Sequence, residues 1–292
     1  MAFEIITDTP ANIDTGVAKE NNIKVLPFSF FIDGKEYTCD DTDTFDAKDY
    51  YDKIRGGMKV TTSQINPQQY IDCMRPILEE GKDILFIGLS SGISGSYESA
   101  CIASAELRSE FPERNIQLID SLGAGLGEGL LALRAAKCRE NGMELEETKA
   151  RILKFRKRMY QVFTVDDLMH LRRTGRLSNA GAVIGTVLNI KPILKGNEKG
   201  QIVAFMKVRG RRQAIKTLAD KFATLAKNPE AQLIGISHAD CEADALYLKE
   251  LIEKKCAPKE IMIVNHEPVT GSHIGPGSLA LFFEGDDEVR SK

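Results

Sequence analysis

Short apolar runs alternate along the chain with longer segments whose apolar residues recur every three or four positions. In the first half the runs are Phe3–Ile6, Lys24–Phe31, Asp83–Leu89 and Ile116–Asp120, each of strand length. Between them Asp46–Arg55, Pro67–Glu80, Tyr97–Arg108 and Gly127–Glu140 read as helices. This alternation predicts a parallel sheet with helices on both faces. Asn66-Pro67-Gln68-Gln69 is a helix start, with Asn as cap, Pro at the first position and Gln at the third.

The second half has a different rhythm. Leu145–Arg158 reads as a basic helix, and Gly210–Ala226 and Glu242–Lys255 as further helices. Tyr160–Thr164, Ile190–Leu194, Gln201–Lys207, Leu233–Ser237 and Glu260–Val264 read as strands. Lys195–Gly200 is the turn of a predicted hairpin. An antiparallel pair beside helices indicates α+β architecture. The charged stretch Met143–Lys157 marks the boundary, giving an N-terminal α/β domain over 1–155 and a C-terminal α+β domain over 156–292.

Length agrees with that division, since 292 residues at about 150 per domain make two. With 42% hydrophobic and 28% charged residues the chain is neither disordered, collagenous nor coiled-coil. A net charge of -3 argues against nucleic acid as partner. No apolar run approaches the ~18 residues of a membrane span. The opening residues 1–8 lack the pattern of a signal peptide, so a cytoplasmic location is expected. Six scattered cysteines with no C-x-x-C predict free thiols, with neither a disulfide scaffold nor a metal site.

The densest chemistry lies at Gly88-Leu89-Ser90-Ser91-Gly92-Ile93-Ser94-Gly95-Ser96-Tyr97, between a predicted strand and helix. Bare N–H groups and small hydroxyls there suit a phosphate or carboxylate, and equally a tight turn with a serine cap. Gly88-x-Ser90-x-Gly92 also matches a hydrolase nucleophile elbow, making a serine hydrolase using Ser90 the alternative enzyme reading. Gly92 and Gly95 postpone the helix that an elbow needs, and no Gly-rich oxyanion loop precedes it. Val60-Thr61-Thr62-Ser63-Gln64 is a second hydroxyl cluster, expected as a loop. Leu171–Ser178, with Arg176, and Val208–Gln213, with Arg209 and Arg211, are basic clusters set on glycines; they fit an anion, a partner or a solvated face. Gly271–Ser278 places His273 in an expected Gly-rich loop. No Walker-type motif occurs, so no bound ATP is expected. Gly127-Glu128-Gly129-Leu130-Leu131-Ala132 fits a dinucleotide motif by letter but reads as helix interior.

Six stations in order resemble the DegV family of bacterial fatty-acid-binding proteins. They are Thr7-Asp8-Thr9, Thr61–Gln64, Ser90–Tyr97, Asp120-Ser121, Gly175–Ser178 with Ile190–Leu194, and Gly271–Gly277. The resemblance implies two α/β domains with one long-chain fatty acid in a tunnel between them. It further implies a lipid-presenting subunit of a bacterial fatty acid kinase: no catalytic residue, no cofactor and no metal of its own, with a separate ATP-binding kinase as partner. It leaves room for transient contact with a membrane, and for a lipid-sensing regulatory module as an alternative. Carried over by position, Thr62 and Ser94 bond the carboxylate, the Gly95 N–H adds to that grip, Ser63 and His273 lie nearby, and Arg176, Arg209 or Arg211 face the anion or the kinase. The chain departs from the family pattern at Thr9, at Ile65, and at Arg211-Arg212-Gln213 where lysines are common.

Overall fold

The computed structural model describes residues 3–178 and 189–292. In chain order these form β1 (Phe3–Asp8), α1 (Thr15–Glu20), β2 (Ile23–Leu26), β3 (Ser29–Ile32), β4 (Lys35–Thr38), α2 (Ala47–Arg55), β5 (Val60–Ser63), α3 (Pro67–Glu79), β6 (Asp83–Gly88), α4 (Ser96–Glu110), β7 (Ile116–Asp120), α5 (Leu126–Glu140) and α6 (Leu145–Arg158). Then follow β8 (Met159–Thr164), α7 (Leu168–Arg173), β9 (Ile190–Gly196), β10 (Ile202–Arg209), α8 (Arg211–Leu225), β11 (Leu233–His238), α9 (Glu242–Lys255), β12 (Glu260–Asn265), α10 (Pro268–Ile274) and β13 (Leu279–Glu284).

The chain divides into two compact units. The first, residues 1–45 and 60–156, holds a parallel sheet in the order β2-β1-β6-β7. Every residue of β6 is buried, as a central strand covered on both faces requires. A small antiparallel sheet, β4-β3-β5, accompanies it. The expected single strand Lys24–Phe31 is two strands in two sheets. Pro27 has no N–H for a ladder, and the chain leaves the parallel sheet there. The expected loop at Val60–Ser63 is the edge strand β5. The predicted cap of α3 forms in full: Asn66 Oδ1 accepts the Gln69 N–H at 3.0 Å, and Gln69 Oε1 accepts the Asn66 N–H at 2.9 Å.

The second unit, residues 46–59 and 157–292, holds a mixed sheet in the order β10-β9-β8-β13-β11-β12. Among its described strands, β11 and β12 pair parallel and the other neighbours pair antiparallel. The predicted hairpin joins β9 to β10, with Asn197 Oδ1 accepting the N–H groups of Lys199 and Gln201, both at 2.9 Å. Helices α8 and α9 cover one face through Leu218, Phe222, Leu248 and Ile252, packed on Tyr160, Leu281 and Phe283. Segment 46–59 belongs with this unit, away from its neighbours in sequence. Its buried tyrosines explain why: Tyr50 donates to the Pro268 carbonyl at 2.8 Å and Tyr51 to the His266 carbonyl at 2.6 Å.

Candidate functional site

Strand β6 ends at Gly88 and hands the chain to the loop 89–95, which starts α4. The loop is fixed from below and from one side. The Leu89 N–H goes to Asp8 Oδ2 at 3.1 Å and the Ser90 N–H to the Gly123 carbonyl at 3.0 Å. Ser91 donates its hydroxyl to Asp120 Oδ2 at 2.5 Å and its N–H to Oδ1 at 3.2 Å. Arg156 in turn holds the Asp120 carbonyl at 2.8 Å.

Ser94 Oγ accepts the Ser96 N–H at 3.2 Å, leaving its own proton to donate. Gly95 is the N-cap of the 15-residue α4 and supplies no side-chain cap. First-turn amides and the positive end of the helix dipole therefore face this place. The point where a Gly95 Cβ would stand is filled by Gln64 Oε1. That close approach brings the end of β5 to the start of α4. Thr62 lies opposite Phe30 and Ser63 opposite Ser29 in the small sheet, so the two hydroxyl clusters of the sequence meet within the first unit.

Ser90 does not have the elbow geometry. It is fully buried, its Oγ accepts the Gly92 N–H at 3.1 Å, and α4 begins only at Ser96. A nucleophile elbow turns sharply from strand to helix with its Oγ exposed.

In the second unit His273 lies in the last turn of α10, not in a loop. Pro268 opens this helix and Glu267 caps it, its carboxylate accepting the N–H groups of Val269 at 2.6 Å and Thr270 at 2.5 Å. Burial, then the nearby Arg176 charge and His170, push the His273 pKa down to about 3, so its imidazole is neutral. The Thr174 hydroxyl donates to the His273 carbonyl at 3.2 Å and Arg176 to the Thr174 carbonyl at 2.5 Å. Among the described residues Arg176 has no carboxylate partner, and burial lowers its pKa. Arg209 is exposed at the end of β10. Arg211 is committed elsewhere: its Nε bonds Asp244 at 2.8 Å and its Nη1 lies 3.6 Å from Asp166. The structure therefore groups Thr62, Ser63, Ser94 and Gly95 in one unit and Arg176 with His273 in the other.

Sequence reasoning overlooked Glu128, whose motif was read only as helix interior. It is fully buried in the first turn of α5, and Thr7 donates to its Oε1 at 2.9 Å.

Comparison with known proteins gives these stations a family context. A family model described as "Uncharacterised protein, DegV family" matches residues 2–286. A DegV domain-containing protein of Clostridium perfringens is 36% identical over 284 residues, 97% of this chain and 98% of its own length. A Thermus thermophilus structure, described as fatty acid binding of a DegV family protein, superposes with a TM-score of 0.88 at 27% identity, covering 98% of this chain and 100% of its own. A Ruminococcus gnavus DegV family structure with vaccenic acid gives 0.87 at 25% identity, covering 97% and 99%. With both sequence and fold matched along nearly its whole length, the chain belongs to the DegV family.

Proposed function

We propose that this protein binds one long-chain fatty acid and presents its carboxylate to a separate ATP-dependent kinase, which forms the acyl phosphate. The observation that carries the reading is the meeting of β5 with the start of α4, where Gln64 occupies the side-chain position of Gly95. Thr62, Ser94 and the Gly95 N–H offer a carboxylate neutral donors beside a helix N-terminus, with Ser63 nearby on the other face of β5. These donors carry no formal charge, so the bound carboxylate stays anionic, and one of its oxygens attacks the γ-phosphorus of ATP as the bond to ADP breaks. The two related structures described with fatty acids support the ligand class.

The acyl chain supplies the affinity. Each buried methylene contributes about 0.8 kcal/mol, so a dozen give roughly 10 kcal/mol before ordering costs. Arg176 and neutral His273 form a separate candidate contact for an anion, and exposed Arg209 one for the kinase. On this reading the protein works in the cytoplasm, with transient membrane contact as lipid is exchanged, and has no cofactor.

Native mass spectrometry of the purified protein, followed by denaturation and lipid analysis, tests the reading. The expected result is one fatty acid per chain. An apo mass that does not shift when oleate or palmitate is added overturns it. A pull-down from cell extract then separates a kinase partner from a regulatory one.

A further inference from the structure

Two carboxyl groups lie in the core directly under the loop 89–95. Asp8 ends β1 and Glu128 stands in the first turn of α5, and both are 0% exposed. The Thr7 hydroxyl faces the Ile87 carbonyl at 2.8 Å and Glu128 Oε1 at 2.9 Å. Among the described residues no hydrogen-bond donor reaches the buried Glu128 Oε2, and the Asp8 carboxyl lies close enough to act on it. Carboxylates are acceptors only, so two carboxyl groups bond each other only with a proton between them. Asp8 Oδ2 meanwhile takes the Leu89 N–H at 3.1 Å, the first amide of the loop.

The surroundings keep the pair together. Helix α5 is pinned, because the Ala11 carbonyl fills the side-chain position of Gly129 and the Gly125 N–H reaches the Pro10 carbonyl at 2.7 Å. Burial and then the Asp8 charge raise the Glu128 pKa well above the carboxylate range. Among the described residues no basic side chain pairs with Glu128. The titratable group facing the pair from α3 is Tyr70, itself kept neutral by burial, with Cys73 one turn further; the Tyr70 hydroxyl meets Ser96 Oγ at 2.8 Å.

We propose that Asp8 and Glu128 share a single proton and act as a pair of positioning residues, holding the loop 89–95 in its carboxylate-binding geometry only while that proton is present. The functional consequence rests on the fatty-acid reading above. Loss of the proton leaves two adjacent like charges in the core. Their separation carries Asp8 away from the Leu89 N–H, and the loop moves with it. Affinity for a fatty acid then falls with a one-proton slope, about tenfold per pH unit, above the titration of the pair.

The test uses wild-type protein and Glu128→Gln, which mimics the protonated carboxyl. Infrared spectra at neutral pH report a carboxylic-acid carbonyl band, expected in the wild type and diminished in the variant. The backbone amide resonance of Leu89 is expected to titrate from neutral to alkaline pH in the wild type and not in the variant. Displacement of a fluorescent fatty acid by oleate is expected to weaken with the one-proton slope in the wild type and to give a flat profile for Glu128→Gln. A Leu89 resonance that does not move with pH, or a variant with the wild-type slope, overturns the proposal. The infrared and resonance measurements need no ligand. Failure to bind oleate with both signatures intact overturns the fatty-acid reading and supports the shared proton.

Discussion

Gln64 Oε1 stands where a side chain on Gly95 would have to go, and so ties the strand of hydroxyls to the start of α4. The backbone of Gly95 is ordinary, with φ -79°, so alanine is conformationally allowed there and only the space is taken. The obstructing atom ends a flexible side chain, which can swing aside by giving up its 3.4 Å bond to Ser99 Oγ. Gly95→Ala is therefore expected to fold with a loss of about 1 kcal/mol, the usual scale of an N-cap change. Gly95→Ala with Gln64→Ala should cost less than the two single changes summed, because the double variant removes the clash. Denaturant titration of the four proteins measures this, and strict additivity would show that Gln64 is not the obstruction.

The carboxylate reading separates ligand binding from folding at two neighbouring hydroxyls. Thr62 is half-buried on a short strand, so Thr62→Ala should cost about 1 kcal/mol of stability, the scale of one strand position or one hydrogen bond. Ser94→Ala removes the acceptor for the Ser96 N–H and should cost about 1 kcal/mol. Each change deletes a hydrogen bond to a charged ligand, worth about 1.5–3 kcal/mol, so oleate affinity should fall roughly 10- to 100-fold. Acyl-phosphate formation by a fatty acid kinase should fall in parallel. Equal turnover with wild type and both variants would remove Thr62 and Ser94 from the proposed role.

What the sequence made legible is what local chemistry decides. The apolar run of β6 and the Asn66–Gln69 capping box were readable because each rests on residues within one segment. Strand β5 was hidden because Val60-Thr61-Thr62-Ser63 carries hydroxyls on both faces and has no apolar alternation. Helix α10 left a signal in Glu267-Pro268, but its glycine and small residues imitate a loop. The place of 46–59 depends on tyrosines that bond carbonyls more than two hundred residues away. Asp8 and Glu128 lie on elements that the sequence separates by 120 residues, and no spacing rule joins them.

Neutral His273 has a consequence for acid stability. Its pKa falls on folding from about 6.5 to about 3, so between those values the unfolded chain binds more protons than the folded one. Stability from this group is present above about pH 6.5 and is lost as the pH falls, by up to about 1.4 kcal/mol per pH unit. His266, buried and likewise pushed down to about 3, acts in the same sense. The raised Glu128 acts oppositely, losing stability as the pH rises above the ordinary glutamate value. His273→Gln is expected to reduce the acid-side slope of unfolding free energy by about one proton. Urea titrations between neutral pH and the ordinary carboxylate range measure that slope. An unchanged slope would mean that His273 titrates normally in the folded protein.

Gly271 and Tyr51 make the strictest steric pair in the second unit. A Cβ on Gly271 would overlap the Tyr51 hydroxyl and lie 2.8 Å from Cζ and 2.9 Å from Cε1. Unlike Gln64, this neighbour cannot swing away. Tyr51 is fully buried, packs edge-on against Tyr50 with ring centroids 5.2 Å apart, and donates to the His266 carbonyl. Gly271→Ala therefore forces α10 off α2 and should cost about 3 kcal/mol, the upper range of overpacking. Tyr51→Phe alone loses the bond to His266 and should cost about 1–2 kcal/mol. The double variant should cost clearly less than the sum, since the nearest clashing atom is gone, but should not reach wild-type stability because the ring carbons remain. His273 lies two residues beyond Gly271 on the same short helix, so Gly271→Ala should also weaken oleate binding, and Tyr51→Phe should restore part of that affinity together with the stability. Recovery of stability without any recovery of affinity would separate His273 from the ligand.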